Sequence, residues 1–354
     1  MMAFIHRYLG WRDWSVLTYN SIAENVFIIF FIALREKLFT TSFVLDFFVF
    51  FLFSIFSTSY GYLINDFADR ELDAKHGKAN TFENDSALKT LLVVMLFGGI
   101  SLVLGLRFAK GQLFVCLWVG WVFLATFYSL RPLRLKEKGV LGLFAVVGAQ
   151  RVFPTLITFA AFRYYELSDI IIFTCYVFFR GLSSDLNHQM EDYQKDLMTG
   201  TDTYAVESGL RKARKAFHLS LELEKVFLIL CMLSMYFKLP DPNLYGISLI
   251  APVLSFYLLL CGTGWMKMLT QGSKLDINPF AKNRKDLFQF IHHTFPSVVL
   301  PLYLLTLLVS RSWLFILLLV FFVIYRKIYS VELIKNSFPV RAIRKIAVYL
   351  SNYF

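Results

Sequence analysis

The chain has 354 residues, 57% hydrophobic and 17% charged, with 39 phenylalanines and a mean hydropathy of +0.57. Soluble domains are nearer ~45–50% apolar and ~25% charged, so an ordinary water-soluble enzyme and a disordered chain are both excluded. The formal net charge of +11 does not indicate nucleic acid, because the basic residues sit in short loops between apolar runs, where they set membrane topology.

The apolar runs predict an all-α, polytopic transmembrane bundle. Candidate spans lie at about 18–34, 42–64, 88–107, 112–130, 139–162, 168–184, 217–237, 244–266, 287–309 and 312–329, each near the ~20 residues that cross a bilayer. The sixth is short and the ninth begins with a polar turn, so the count is nine or ten. With the N-terminus in the cytoplasm, the outside loops hold Arg35, Lys37, Arg107, Lys110, Arg163, Lys238 and Arg311, and Arg151, Arg180 and Lys225 lie within spans. The other basic residues, 26 of 36, then face the cytoplasm, which supports an even number of spans with both termini inside. The four cysteines fall within apolar runs without metal-type spacing and read as packed thiols. No small-residue cleavage site follows the first run, so no cleaved signal peptide is expected. Residues 1–330 read as one transmembrane domain. Residues 331–354, where Lys335, Arg341, Arg344 and Lys345 alternate with apolar residues, read as an amphipathic basic tail on a cytoplasmic lipid surface.

Chemistry concentrates in two acidic segments. The first, residues 65–73, directly follows the second span. On a continuing helix Asp66, Asp69 and Asp73 stand at i, i+3 and i+7 on one face, with Asn65 beside them. Carboxylates so placed repel one another unless a cation is shared, and an all-oxygen donor set selects a hard ion such as Mg²⁺. The second segment, residues 185–196, follows the sixth span. Asp185, Gln189, Asp192 and Asp196 again share one face, and His188 borders it. Four spans separate the segments, so both emerge on one side, the cytoplasmic one by charge count. Mg²⁺ held by few carboxylates completes its shell with water and substrate phosphates, so the implied ligand is a diphosphate. The bland alternative for each segment is a solvated, charged helix end.

The pattern Asn65-Asp66-x-x-Asp69-x-x-x-Asp73 resembles the first aspartate-rich motif of the UbiA superfamily of intramembrane prenyltransferases. Asp192-x-x-x-Asp196 resembles the core of its second motif, and Gly200-Thr201-Asp202-Thr203 the Gly-x-x-Thr that closes it. The run Tyr128-Ser129-Leu130-Arg131-Pro132-Leu133-Arg134-Leu135-Lys136 is similar to the family's Tyr-Ser-x-Pro-Pro-x-Arg-x-Lys segment. Arg131 stands where the family usually has Pro, and His188 where many members carry Asp. The resemblance, over about 60–210, implies a helical bundle around a cavity open to lipid, and Mg²⁺-dependent use of an isoprenyl diphosphate. Asp66, Asp69, Asp73, Asp185, Asp192 and Asp196 are then the expected metal-site residues, with Asp66, Asp69, Asp192 and Arg134 central to catalysis. Asn20, Glu24, Asn65, Lys78, Tyr128, Arg131, Lys136, Arg180, His188 and Gln189 are the candidates for binding substrate. Topology alone accounts for a basic loop at 131–136, a carboxylate partner accounts for Arg180, and an interhelical hydrogen bond accounts for Asn20 and Glu24. Transfer of a prenyl group to an acceptor is the leading function. A terpene cyclase on the same fold and a non-enzymatic transporter or assembly factor are the alternatives.

Overall fold

The computed structural model describes residues 7–9, 20–75, 77–239, 243–244, 247–271, 278–280, 287–326, 328, 343, 346–348 and 351. The described residues are mostly helical, and each of the ten predicted spans overlaps helix. In chain order the helices are α1 (Ser21–Glu24), α2 (Phe27–Arg35), α3 (Thr41–Lys75), α4 (Ala87–Gly105), α5 (Gln112–Ser129), α6 (Gly139–Val147), α7 (Phe153–Ala161), α8 (Leu167–Thr199), α9 (Tyr204–Ser208), α10 (Leu210–Lys238), α11 (Ala251–Gln271), α12 (Leu287–Thr294), α13 (Leu300–Arg311) and α14 (Ile316–Tyr325). Asn243–Leu244 and Ile247–Ser248 form a two-residue antiparallel pairing between α10 and α11.

Among the described residues, six helices are long and apolar enough to cross a bilayer: α3, α4, α5, α6–α7 taken together, α8, and the helix at 288–311. The other four predicted spans are shorter or more polar. The first is not one rod: Asn20 caps α1 through the Ala23 N–H at 2.8 Å, and the chain breaks at Asn25 before α2 begins. Two helices run on through π turns, at Gly148–Val152 and Phe295–Val299. Pro154, Pro296 and Pro301 lie in or beside these turns. A proline has no N–H to donate, and a wider turn absorbs the lost hydrogen bond.

The chain forms two compact units, one of residues 1–23 and 45–231, the other of 24–44 and 232–354. The core of the first is an aromatic stack. Phe50 lies 5.3 Å from Phe108 and 5.2 Å from Phe162, and Phe53 lies 5.8 Å from Phe114, between ring centroids. Such rings bury large apolar areas and favour edge or offset contacts. Gly181 of α8 lets the π turn approach: a Cβ there would stand 2.8 Å from Arg151 Cγ. On the outer faces of α4 and α5, Leu88, Leu92, Met95, Val103, Val119 and Phe123 are exposed. A continuous apolar surface of this extent belongs against lipid rather than water. In the second unit α2 packs on α13 and α13 on α14, with Phe30 against Phe322 and Phe39 against Phe315.

Two lengths place the site. α3 has 35 residues and α8 has 33, so at 1.5 Å per residue each extends ~50 Å against a hydrocarbon core of ~30 Å. The surplus turns project beyond the apolar windows, and they carry the two acidic segments. Nearly all of the tail at 331–354 lies outside the described residues.

Candidate active site

The first segment continues as helix to Lys75, as its periodicity requires, and Asp66, Asp69 and Asp73 are all buried. The loop after α3 folds back along this face. The Asn80 side-chain amide donates to Asp73 Oδ2 and to the Asp66 carbonyl, both at 2.9 Å, and the Thr81 N–H donates to Asp66 Oδ2 at 3.1 Å. Asp69 is engaged by the loop after α5. Arg134 Nη2 donates to its Oδ1 at 3.1 Å, and Lys136 Nζ donates to its Oδ2. Lys136 also reaches Asn65 Oδ1 at 3.1 Å, where Ser129 Oγ donates at 2.6 Å. Arg134, in the left-handed region at φ 40°, turns its Nε to Glu137 at 2.6 Å. Burial opposes the charge on Arg134, but Glu137 and Asp69 outweigh it and hold the guanidinium above its ordinary pKa. Burial wins at Lys136, whose ammonium is pushed below the usual lysine range despite Asp69.

The second segment also remains helical, to Thr199. Gly200 caps it in the left-handed region at φ 66°, which glycine adopts without cost. The chain then reverses. The Thr201 N–H donates to the Asp196 carbonyl at 2.9 Å, and Thr203 Oγ1 lies 3.3 Å from Asp196 Oδ2. Gln189 bridges inward, donating to Asp185 Oδ2 at 2.9 Å while its own carbonyl accepts from the Ala205 N–H at 3.1 Å. The Gly139 N–H reaches the Asp202 carbonyl at 3.0 Å, which ties this turn to the start of α6.

Tyr128 lies near both segments. Its hydroxyl lies within electrostatic range of Asp69 from the first segment and of Asp185 and Asp196 from the second. Lys78 lies within range of Asp196, and Arg151 within range of Asp185. The structure therefore brings together Asn65, Asp66, Asp69, Asp73, Lys78, Tyr128, Arg134, Lys136, Asp185, Gln189 and Asp196. Asp192 lies one turn before Asp196 and is exposed, as are His188 and Arg131. Among the described residues no three His, Cys, Asp or Glu side chains already converge in the geometry of a single-ion site.

Two candidates have structural partners. Arg180 Nη1 donates to Glu224 Oε1 of α10 at 2.7 Å, and Ser183 Oγ donates to Glu224 Oε2 at 2.6 Å. Asn20 accepts from Ser54 Oγ at 3.0 Å besides capping α1, and Glu24 is half-buried. Sequence reasoning missed Asn80 and Thr81, and it missed Glu224, whose signal was a carboxylate in mid-span with no named partner.

The sequence profile of the UbiA prenyltransferase family matches residues 26–276, a stretch that includes both acidic segments and the basic loop between them. The chain belongs to the UbiA prenyltransferase family. Solved UbiA structures share the fold. A UbiA homolog from Archaeoglobus fulgidus matches with a TM-score of 0.54 at 14% identity, over 86% of this chain and 98% of that one. The same homolog bound to GPP and Mg²⁺ matches at 0.52 and 15% identity, over 82% and 98%. Among curated sequences, the chloroplastic chlorophyll synthase of Avena sativa is 27% identical over 164 residues, 44% of this chain. The match spans 43% of that relative's length.

Proposed function

We propose that this UbiA family member is a Mg²⁺-dependent intramembrane prenyltransferase, which ionises an isoprenyl diphosphate and passes the prenyl group to an acceptor. The observation that carries this reading is the nearness of both acidic segments to Tyr128, with Arg134 and Lys136 on Asp69 and Lys78 near Asp196. The names of its relatives, a chlorophyll synthase and a homolog bound to GPP and Mg²⁺, support it. Residues 1–330 act as one domain, with the site and both termini on the cytoplasmic side by the charge count.

The donor set fits the ion: every oriented group on the first segment is an oxygen, and Asp66 and Asp73 are buried and held by hydrogen bonds, as a hard cation requires. Asp66, Asp69, Asp73, Asp185, Asp192 and Asp196 would hold Mg²⁺. Bound there, it would neutralise charge on the leaving diphosphate. Lys78, Arg131, Arg134 and Lys136 supply the remaining positive charge to the diphosphate oxygens. Asn65, Tyr128, His188 and Gln189 are the candidates for contacting the rest of the substrate. The allylic C–O bond breaks, its electron pair leaves on the diphosphate, and a pair from the acceptor closes on the carbon as the acceptor gives up a proton. The lipid-side walls keep water from the cation.

The test is diphosphate release by the purified chain, supplied with Mg²⁺ and prenyl diphosphates of several lengths, with and without acceptors from a membrane extract. Acceptor-dependent release that falls by at least ~100-fold in Asp66→Ala and Asp192→Ala is expected. A cyclic hydrocarbon or alcohol formed without acceptor would instead establish a cyclase. No release under any condition would favour a non-enzymatic role.

A further inference from the structure

The loop that holds the first acidic segment is itself held from behind. Arg7 Nε and Nη2 both donate to the Thr81 carbonyl, at 3.1 and 3.0 Å, and Nη2 also reaches Asp85 Oδ2 at 2.6 Å. Lys89 Nζ takes Asp85 Oδ1 at 2.6 Å, and Tyr8 Oη lies 3.4 Å from Oδ2. The Tyr8 ring packs beside Phe82 and Phe97, with centroids 6.0 and 6.4 Å apart, in a buried cluster with Leu63, Ile64 and Val94. Leu63 and Ile64 are the residues of α3 that immediately precede Asn65 and Asp66.

Thr81 is the hinge of this arrangement. Its carbonyl is gripped by Arg7, and its N–H donates to Asp66 Oδ2. The neighbouring Asn80 side chain ties Asp66 to Asp73. A planar guanidinium with two donors on one carbonyl and a third contact to a carboxylate fixes both position and orientation, which a lysine ammonium does not. Arg7 lies some sixty residues from the acidic segment in sequence.

We propose that Arg7 is a positioning residue for the divalent-cation site: through Thr81 and Asp85 it fixes the loop whose Asn80 and Thr81 orient Asp66 and Asp73. The inference rests on the assignment of Asp66 to the metal site made above. Outer-shell partners of metal ligands typically contribute ~10–100-fold in metal affinity, and Arg7 stands one residue further out, so a loss of about tenfold is expected.

The probe is Mn²⁺ alone, titrated into the purified 354-residue chain, with free Mn²⁺ read by electron paramagnetic resonance. Wild-type binding that is abolished in Asp66→Ala supports the underlying assignment. Absent wild-type binding, or binding indifferent to Asp66→Ala, overturns that assignment and the inference with it. Given a site that depends on Asp66, Arg7→Ala is expected to weaken Mn²⁺ about tenfold, with Arg7→Lys intermediate. Lys89→Ala, which removes the other cation on Asp85 without touching Thr81, is expected to leave Mn²⁺ affinity within about twofold of wild type. Equal weakening in Arg7→Ala and Lys89→Ala would show a general loss of local stability and overturn the positioning role, as would unchanged affinity in Arg7→Ala. If Arg7→Ala is not recovered folded, Arg7→Lys against Lys89→Ala makes the same comparison.

Discussion

Glu224 offers a sharp test of the buried charge within the first unit. Its side chain is fully buried and Arg180 is 8% exposed, and their 2.7 Å contact joins α10 to α8. Ser183 donates to the second carboxylate oxygen at 2.6 Å, so Glu224 satisfies two donors on one helix face. Glu224→Ala takes the carboxylate away from a buried guanidinium and from the Ser183 hydroxyl, which keeps only its bond to the Arg180 carbonyl at 3.1 Å. Breaking a buried pair from one side costs about 3–5 kcal/mol, whereas replacing both partners by apolar residues of similar volume is often neutral or stabilising. Glu224→Ala should therefore lower the apparent unfolding temperature in detergent sharply. The double variant Arg180→Met/Glu224→Leu should recover most of the loss, and a double-mutant cycle should show strong coupling. The double variant also separates two roles for Arg180. If its guanidinium only braces α8 against α10, a stable double variant retains diphosphate release. If it binds diphosphate, release is lost while stability is kept. A loss under ~1 kcal/mol for Glu224→Ala, the size of an ordinary interhelical hydrogen bond in a membrane, would refute the reasoning.

Three further outcomes follow from the same geometry. Lys136→Ala should lower kcat/KM for the prenyl diphosphate by ~10–100-fold, the equivalent of one charge-assisted hydrogen bond of about 1.5–3 kcal/mol, and an unchanged value would remove Lys136 from the site. Gly181→Val should destabilise by about 1–3 kcal/mol, because its Cβ would meet Arg151 Cγ at 2.8 Å and Val147 Cγ1 at 2.9 Å, whereas Gly99→Ala, with nothing within 4 Å, should not destabilise. Burial raises the Asp85 carboxyl, but Lys89, Arg7 and Tyr8 together hold it below its ordinary 3.8. Its contribution is therefore present above the unfolded value and is lost as pH falls through the folded one. The acid limb of thermal stability below pH ~4 should flatten in Asp85→Asn, and an unaltered limb would contradict the assignment.

What the sequence makes legible follows physical range. The helix period aligns Asp66, Asp69 and Asp73 from neighbours three and four residues apart, and the structure continues α3 through all three. The same holds for Asp185, Gln189 and Asp196 on α8. The partners that hold these groups are not legible in that way. Asn80 and Thr81 lie 14 and 15 residues from Asp66, and what they contribute includes a backbone N–H, which every non-proline residue carries and no composition marks. Glu224 lies 44 residues from Arg180. One signal did exist: a carboxylate in mid-span is costly without a partner, and Arg180 was a mid-span cation awaiting one. The break in the first predicted span is not legible for a different reason. Residues 18–34 read as one apolar run, but the Asn20 amide caps a single turn by accepting from the backbone, and the helix restarts after Asn25.

The three carboxylates of the first segment are not equivalent. Asp66 accepts from the Thr81 N–H and Asp73 from the Asn80 amide, neutral donors that orient a carboxylate. Asp69 has one oxygen on Arg134 and the other on Lys136. On the proposed reading, these two cations also serve the diphosphate, so they are already in place beside the first segment before they act. Each Asp69 oxygen keeps a second lone pair for a metal, and the diphosphate oxygens are acceptors to which one of the two cations can move. Arg134 is tied on its other side to Glu137 at 2.6 Å. Lys136 carries a compact ammonium on a flexible stem, and burial already disfavours its charge where it stands. Lys136 is therefore the partner that Asp69 exchanges at least cost.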